Sequence, residues 1–317
     1  LEQAYPQDCT EVFFIDGGST DGTIAILEDY ANRYPAIHLL NNPARFVPTA
    51  MNIGIRAASG EIIIRMDAHA GYPPDYVSQL VDWLQKTEAD NVGGLWHTAP
   101  RTAQPKAEAI ALALAHPFGV GNSLFRIGVE EPTEVDTVPF GCYRKSVFER
   151  FGYYDERLQR NQDIELNKRI RQLGGRILLI PHISCTYYAR DTYKGLWRNN
   201  FQTGRWVVLT SWFTKNLSAL SLRHFVPMAF VAYLLLLLVL GIGSLWGAVP
   251  PLFLAPALVP LLLHFLLCAY FSFTISRQEA KRQLFPYLFA AFWVLHLSYG
   301  SGSFSGFLEL FRGKSRA

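Results

Sequence analysis

Cysteine is scarce in this chain. Cys9, Cys142, Cys185 and Cys268 lie far apart with no C-x-x-C pair. That spacing excludes a disulfide framework and a cysteine zinc site, and it suits a reducing compartment. Net charge is scarce too: a formal +3 over 317 residues, without a run of Lys and Arg, excludes the phosphate-tracking groove of a nucleic-acid binder. From Phe225 to Ser276 there is no Asp, Glu, Lys or Arg at all. Internal repeats, low-complexity tracts and the pattern of a signal peptide are likewise missing. The start at Leu1 rather than Met leads us to expect that an N-terminal piece is absent.

What is present divides into a polar part and a membrane part. Val226 to Gly247 and Leu252 to Ile275 are each long enough for a span, which needs ~20 apolar residues at ~1.5 Å per residue. Pro250 and Pro251 join them as a tight hairpin. Ahead of the first span, Arg190, Lys194, Arg198, Arg205, Lys215 and Arg223 face a single acid, Asp191, and such a bias marks the cytoplasmic side. The returning chain places Arg277, Lys281 and Arg282 on that side as well. Residues 191–224 read as amphipathic interfacial helices, with Tyr193 to Phe213 mixing aromatic, basic and aliphatic residues. The membrane region, 225–317, carries two to three spans. Leu284 to Leu297 is apolar, but the glycines and serines from Ser298 to Gly306 are expected to break it. A full third span would carry Arg312, Lys314 and Arg316 outside, whereas a re-entrant or interfacial segment would not, and both readings stay open.

The first 190 residues alternate between strand and helix signals. Strands are expected at Glu11 to Ile15, Ile37 to Leu40, Glu61 to Met66 and Asn91 to Leu95, with helices at Thr23 to Arg33, Pro48 to Ala58 and Pro73 to Gln85. Further on, Lys106 to Ala115 and Ile164 to Leu173 read as helices, and Arg176 to Ile180 as a strand stopped by Pro181. The pattern predicts an α/β domain whose mixed, mainly parallel sheet binds its ligand outside the carboxyl ends of the strands. Asp16 and Asp67 fall at such ends.

Three groups of residues can carry chemistry. In Asp16-Gly17-Gly18-Ser19-Thr20-Asp21-Gly22-Thr23, glycines let the backbone approach a ligand beside a helix N-terminus that favours anions. Asp16 is placed to accept hydrogen bonds from a base or ribose; Asp21 reads as a helix cap. Asp67 and His69 can point toward one exposed edge, and a carboxylate with an imidazole suits a divalent metal, Mn more readily than Mg; the other reading of His69 is a loop histidine hydrogen-bonded locally. Asp163 and Glu165 open a helix. Glu165 reads as an ordinary N-terminal acid, and Asp163 as either that or a general base for an acceptor hydroxyl.

Together these pieces resemble glycosyltransferase family 2, whose catalytic domain has the GT-A (Rossmann-like) fold. The resemblance is carried by Val12 to Thr23, by Asn52-Ile53-Gly54 with Gly60-Glu61, and by Asp67-x-His69 where most members have Asp-x-Asp. It continues in Phe140-Gly141-Cys142-Tyr143-Arg144, Phe151 to Glu156, and Gln162-Asp163-x-Glu165 with Arg169. Asp-Ala-His-Ala and the membrane tail look most like the bacterial exopolysaccharide branch typified by succinoglycan biosynthesis.

The resemblance implies an inverting, metal-dependent hexosyltransferase of the inner (plasma) membrane, multi-pass, with a cytoplasmic catalytic domain. Asp16, Gly18, Ser19, Asn52 and Asp67 would bind the nucleotide-diphosphate sugar, Asp67 and His69 a divalent metal (Mn or Mg), and Asp163 would be the base. The acceptor would be a polyprenyl-diphosphate-linked saccharide. Gln202, Arg205 and Trp206 match the Gln-x-x-Arg-Trp pattern of processive members, which would place them at the acceptor or diphosphate; an interfacial aromatic belt of Trp197, Trp206 and Trp212 accounts for them equally. The alternatives are a processive polysaccharide synthase and a catalytically silent scaffold. Two departures stand out: His69 replaces Asp, and the family's first strand, with its Pro and Asn-Glu, has no counterpart in the ten residues before Glu11.

Overall fold

The computed structural model describes residues 2–215 and 222–311. The side chain of Arg223 and the residues Arg312, Lys314 and Arg316, on which part of the orientation argument rests, lie outside the described residues. The chain forms two compact units, Leu1–His97 with Gly128–Tyr187, and Thr98–Ile127 with Tyr188–Ala317.

In chain order the first stretch runs β1 (Val12–Asp16), α1 (Thr23–Arg33), β2 (Ile37–Asn41), α2 (Val47–Ala57), β3 (Ile62–Ile64), β4 (Ala70–Gly71), α3 (Tyr76–Lys86) and β5 (Asn91–Ala99). Next come α4 (Pro105–Leu114), the short α5 (Pro117–Val120) and α6 (Leu124–Ile127), β6 (Thr133–Glu134), β7 (Cys142–Arg144), α7 (Ser146–Phe151), α8 (Gln162–Gln172) and β8 (Ile177–Tyr188). β1 and β2 pair in parallel, from Val12 opposite Ile37 to Asp16 opposite Asn41. A second sheet has the order β3-β7-β5-β8-β4, with β6 added on β8. β3 and β5 each pair antiparallel with β7, and β4 and β6 pair antiparallel with β8, so with the parallel β1–β2 pair the strands of this domain pair in both senses. Alternating apolar residues make one face of this sheet a core: Tyr76, Leu80 and Leu84 of α3 pack on Val92, Cys142, Ile180 and Ile183.

β8 differs from the expected strand, since it passes through Pro181 and continues to Tyr188. β6 uses Leu178 and Leu179, while β4 uses Thr186 and Tyr187. Pro181 lies between those two registers, where neither short partner needs the N–H that proline lacks.

The second unit adds α9 (Tyr193–Phe213), α10 (Leu222–Leu245), α11 (Leu254–Gln278) and α12 (Phe285–Phe311). α9 begins where Thr192 Oγ1 accepts the Gly195 N–H at 3.1 Å, a side-chain cap. Its core joins Ile110 and Leu114 of α4 to Leu196, Cys268, Leu288, Phe292 and Leu295. Among the described residues two helices are long and apolar enough to cross a membrane, His224–Leu245 with a mean hydropathy of 2.6 and Pro251–Gln278 with 2.3. Buried core helices share that composition but not this exposure: Leu236, Val239, Leu262 and Phe273 stand open to the surroundings. Apolar surface of that extent requires lipid, so the chain associates with a membrane.

The expected break at Ser298 to Gly306 does not occur, and α12 continues through it to Phe311. The small residues serve packing instead. A Cβ at Gly302 would collide with the Phe201 carbonyl, one at Gly300 with the Pro227 carbonyl, and one at Gly306 would meet the Arg205 carbonyl at 2.6 Å. Gly204 of α9 answers against the Tyr299 carbonyl. Glycine lowers the intrinsic helix propensity by ~1 kcal/mol, but here it permits backbone-to-backbone approach, which outweighs that cost.

Candidate functional site

β1 ends on Asp16, and the chain turns through Gly18 and Gly22, which adopt φ of +83° and +85°. The Asp16 carboxylate accepts from Ser19 Oγ at 2.5 Å, Ser19 N at 2.9 Å and Gly18 N at 2.6 Å. These bonds, Ser19 Oγ foremost and aided by Arg45, hold the carboxyl below its ordinary value, so it is ionised at neutral pH. A side chain at Gly18 would press on the Arg45 guanidinium at 3.1 Å. Asp21 accepts from Thr23 Oγ1 at 2.6 Å, but the N-cap of α1 is Gly22, in a left-handed conformation that only glycine takes freely, so Asp21 stands one residue ahead of the expected cap position.

The end of β3 carries the second cluster. Arg65 donates from Nε to Asp67 Oδ1 at 2.8 Å and from Nη2 to Oδ2 at 3.2 Å. The Asp67 N–H donates to the Tyr72 hydroxyl at 2.7 Å, which fixes the turn. His69 Nε2 lies 3.9 Å from Asp67 Oδ2. Its ring meets Tyr187 edge-on at 6.3 Å.

α8 presents Asp163 as its second residue, with Oδ1 accepting the Ile164 N–H at 2.9 Å. Burial opposes charge on Arg65, but Asp67 and then Asp163 outweigh it and raise the guanidinium pKa. Arg65 thus bonds the Asp67 carboxylate directly and feels the charge of Asp163 at the start of α8. Burial pushes the phenols of Tyr143 and Tyr154 up, so two neutral hydroxyls, 3.5 Å apart, back this acidic pair.

Other expected residues serve the frame. Asn52 is buried; its amide donates to the Tyr154 carbonyl at 2.9 Å and to Glu156 at 2.7 Å, and its oxygen accepts the Tyr154 N–H at 3.0 Å. Both amide hydrogens are thus used inside the protein. Glu165 pairs with Arg169 at 2.8 Å, and Arg169 donates to the carbonyls of Phe151 and Tyr153. In the second unit, Arg205 of α9 forms a two-point pair with Glu309 of α12, at 2.7 and 2.8 Å, and its Nη1 reaches Gln202 at 3.4 Å. Trp206 is buried against Phe213.

Sequence reasoning missed Arg65 and Tyr72. A signal for Arg65 was available: a lone arginine ending an apolar strand run, two residues before Asp67 and so on its side of an extended chain.

Residues 1–152 match the family model described as Glycosyl transferase family 2. Over 244 residues the chain is 32% identical to the succinoglycan biosynthesis protein ExoA of Rhizobium meliloti (strain 1021), covering 76% of this chain and 71% of that one. The chain belongs to glycosyl transferase family 2. Its kinship with that exopolysaccharide protein makes it a glycosyltransferase close to the exopolysaccharide branch. A more distant relative is the dolichyl N-acetyl-alpha-D-glucosaminyl phosphate 3-beta-D-2,3-diacetamido-2,3-dideoxy-beta-D-glucuronosyltransferase of Methanococcus voltae. It is 26% identical over 202 residues, and the match covers 61% of this chain and 62% of that protein, less than two thirds of its length. Among solved structures, the mannosyltransferase PcManGT from Pyrobaculum calidifontis, in complex with GDP-Man and Mn2+, superposes with a TM-score of 0.60 at 18% identity. The match covers 97% of this chain and 81% of that one, and the GT-A fold of the family is shared.

Proposed function

We propose that the chain transfers a hexose, with inversion, from a nucleotide-diphosphate sugar to a lipid-linked saccharide in the synthesis of an exopolysaccharide or cell-surface glycan. The observation that carries this reading is Asp67 held by Arg65 beside His69, with the charge of Asp163 acting on the same guanidinium. An inverting transfer needs an edge that can hold a cation for the diphosphate and a base on the opposite side of the sugar carbon. Asp163 is that base: it takes the proton of the acceptor hydroxyl as the glycosidic bond forms. Arg65 holds Asp67 in place through its two-point hydrogen bond.

Asp67 and His69 would hold a divalent ion. Their 3.9 Å separation falls within the ~4.2 Å that two ligand bonds of about 2.1 Å can span, and the mixed oxygen and nitrogen set suits Mn ahead of Mg. Such an ion supplies positive charge to the diphosphate leaving group. That the solved mannosyltransferase carries GDP-Man and Mn2+ supports this assignment. Asp16, Gly18 and Ser19 form the rigid loop against which the nucleotide would lie, and Asn52 holds the Tyr154 to Glu156 segment from behind.

Residues 1–190 would be the catalytic domain, 191–224 the interfacial helices and 225–317 the multi-pass anchor in the inner (plasma) membrane. The basic residues from Arg190 to Lys215 support a cytoplasmic catalytic face, and the dolichyl phosphate in the archaeal relative's name supports a polyprenyl-linked acceptor. We assign Arg205 to holding α9 on α12 through Glu309, with Gln202 beside its guanidinium and Trp206 packed on Phe213, which weakens the case for a processive synthase.

The test is donor turnover by the full chain, with and without Mn or Mg, in wild type, Asp163→Asn and Asp67→Ala. Loss of ~100-fold or more is expected for each, and Asp163→Asn keeps a side-chain oxygen able to accept the Ile164 N–H. Full activity in either variant removes that residue's role, and binding without turnover in the wild type would indicate a silent scaffold.

A further inference from the structure

Cys268 and His264 lie one turn apart on α11, and His296 on α12 faces them. His264 Nε2 is 2.9 Å from His296 Nδ1, and Cys268 Sγ is 3.9 Å from His264 Nε2. One ligand atom from each of the three side chains lies within 4.8 Å of the others. Bonds of ~2.0 to 2.1 Å from nitrogen and ~2.3 Å from sulfur, around one ion, separate N from N by about 3.3 to 3.6 Å and N from S by about 3.6 to 3.8 Å. Small side-chain rotations bring the cluster to those separations.

A separate contact prepares the site. His296 Nε2 lies 2.8 Å from the Phe118 carbonyl oxygen. A carbonyl only accepts, so Nε2 carries the ring hydrogen and the Nδ1 lone pair is left facing His264 and Cys268. Fixing an imidazole by its far nitrogen is how metal-ligating histidines are oriented. The rings are also clamped: Phe230 stacks on His264 at 4.1 Å, Trp293 meets it edge-on at 4.5 Å, and Phe118 meets His296 at 4.9 Å.

We propose that His264, Cys268 and His296 bind one soft d10 cation, Cu(I) ahead of Zn(II), inside the membrane unit. Thiolate with two imidazoles selects such ions over the hard ions suited to Asp67 and His69. On binding, Cys268 gives its thiol proton to bulk solvent as the sulfur–metal bond forms, with no change of oxidation state. One thiolate with Cu(I) is neutral, whereas Zn(II) leaves one positive charge amid apolar side chains, which sets the order. The ion would pin α11 to α12. Spacing along the chain had excluded a zinc site made of cysteines, and it does not exclude this mixed site, whose partners come from two helices.

The experiment uses the full chain in nanodiscs with Asp67→Ala, so that ions held at the donor edge do not count. Samples are loaded anaerobically with Cu(I), or with Zn(II), washed, and measured for metal per chain and for retention against a chromophoric chelator. Co(II) loading probes for thiolate-to-metal charge-transfer absorption. The expected result is one ion per chain, Cu(I) held more tightly than Zn(II), a charge-transfer band, and at least 100-fold weaker retention in Cys268→Ser and His264→Gln. The metal-free Tm of these variants separates a lost ligand from a lost fold; should either unfold, His296→Gln replaces it. Stoichiometric metal absent from the folded wild type, or retained equally by the folded variants, overturns the proposal and leaves the cluster a hydrogen-bonded relay ending on Phe118.

Discussion

Arg65 and Asp67 face one another across a two-point ion pair in which the guanidinium fork matches both carboxylate oxygens, at 2.8 and 3.2 Å. Their side chains are only 12% and 20% exposed, so solvent screens the pair little. Because Asp163 acts on the same guanidinium, removing Arg65 leaves two carboxylates without a counter-charge.

Arg65→Met should therefore lower stability by about 3 kcal/mol, the scale for stripping one partner from a buried pair. Arg65→Lys, which keeps the charge without the fork, should fall between it and the wild type. Adding Asp67→Asn to Arg65→Met should restore part of the loss. Thermal unfolding of the full chain in detergent reads this directly, and an unchanged Tm for Arg65→Met would remove the pair from the account of the site.

His69 should set metal preference. His69→Asp supplies a second carboxylate, so Mg should support a larger fraction of the Mn-dependent turnover than it does in the wild type. Mn binding, followed by its electron paramagnetic resonance signal, should weaken in His69→Ala. Identical Mn affinity and an identical Mg-to-Mn ratio across these proteins would detach His69 from the metal.

Two glycines should respond with opposite sign to the same substitution. Gly302→Ala drives a methyl into the Phe201 carbonyl and should lower Tm by several degrees, whereas a Cβ at Gly241 meets nothing within 4 Å. Gly241→Ala should be neutral or stabilising by about 0.5 to 1 kcal/mol. Equal effects would mean that α9 and α12 do not approach as closely as described.

Glu11 gives a pH signature. Its Oε1 accepts from Ser59 N at 2.6 Å, Gly60 N at 2.7 Å and Ser59 Oγ at 2.8 Å. Its slight burial opposes ionisation, but the Ser59 hydroxyl and the backbone bonds prevail and depress the carboxyl below its usual 4.5. A depressed folded pKa stabilises above the unfolded value and loses that contribution as pH falls through the folded one. Glu11→Gln should thus cost below about 1 kcal/mol at pH 7 after solvent screening, with the gap to wild type closing in acid. A gap that widens in acid would reverse the assignment.

Much of the catalytic unit was legible because its signals are local. The apolar run at β1, the Asp-Gly-Gly-Ser turn, the start of α1 at Thr23 and the long α9 each follow from neighbours within one or two turns of chain. The same holds for the apolar helices α10 and α11, whose length and composition suffice for a span, while their exposure separates them from buried core helices. Where reading along the chain went astray, the deciding contact was distant. Pro181 does not stop β8 because β6 and β4 pair on either side of it, and the Ser298 to Gly306 segment does not break α12 because α9 lies against it.

Sequence by itself therefore determined the fold class, the membrane character and the identity of the acids at the strand ends, all properties of short-range pattern and composition. Tertiary structure decided what those residues touch: Asn52 and Arg205 occupied by internal partners, and Cys268 set beside two histidines. Hydrogen bonds and ion pairs act over a few ångströms, and only the folded chain sets those distances between residues a hundred positions apart.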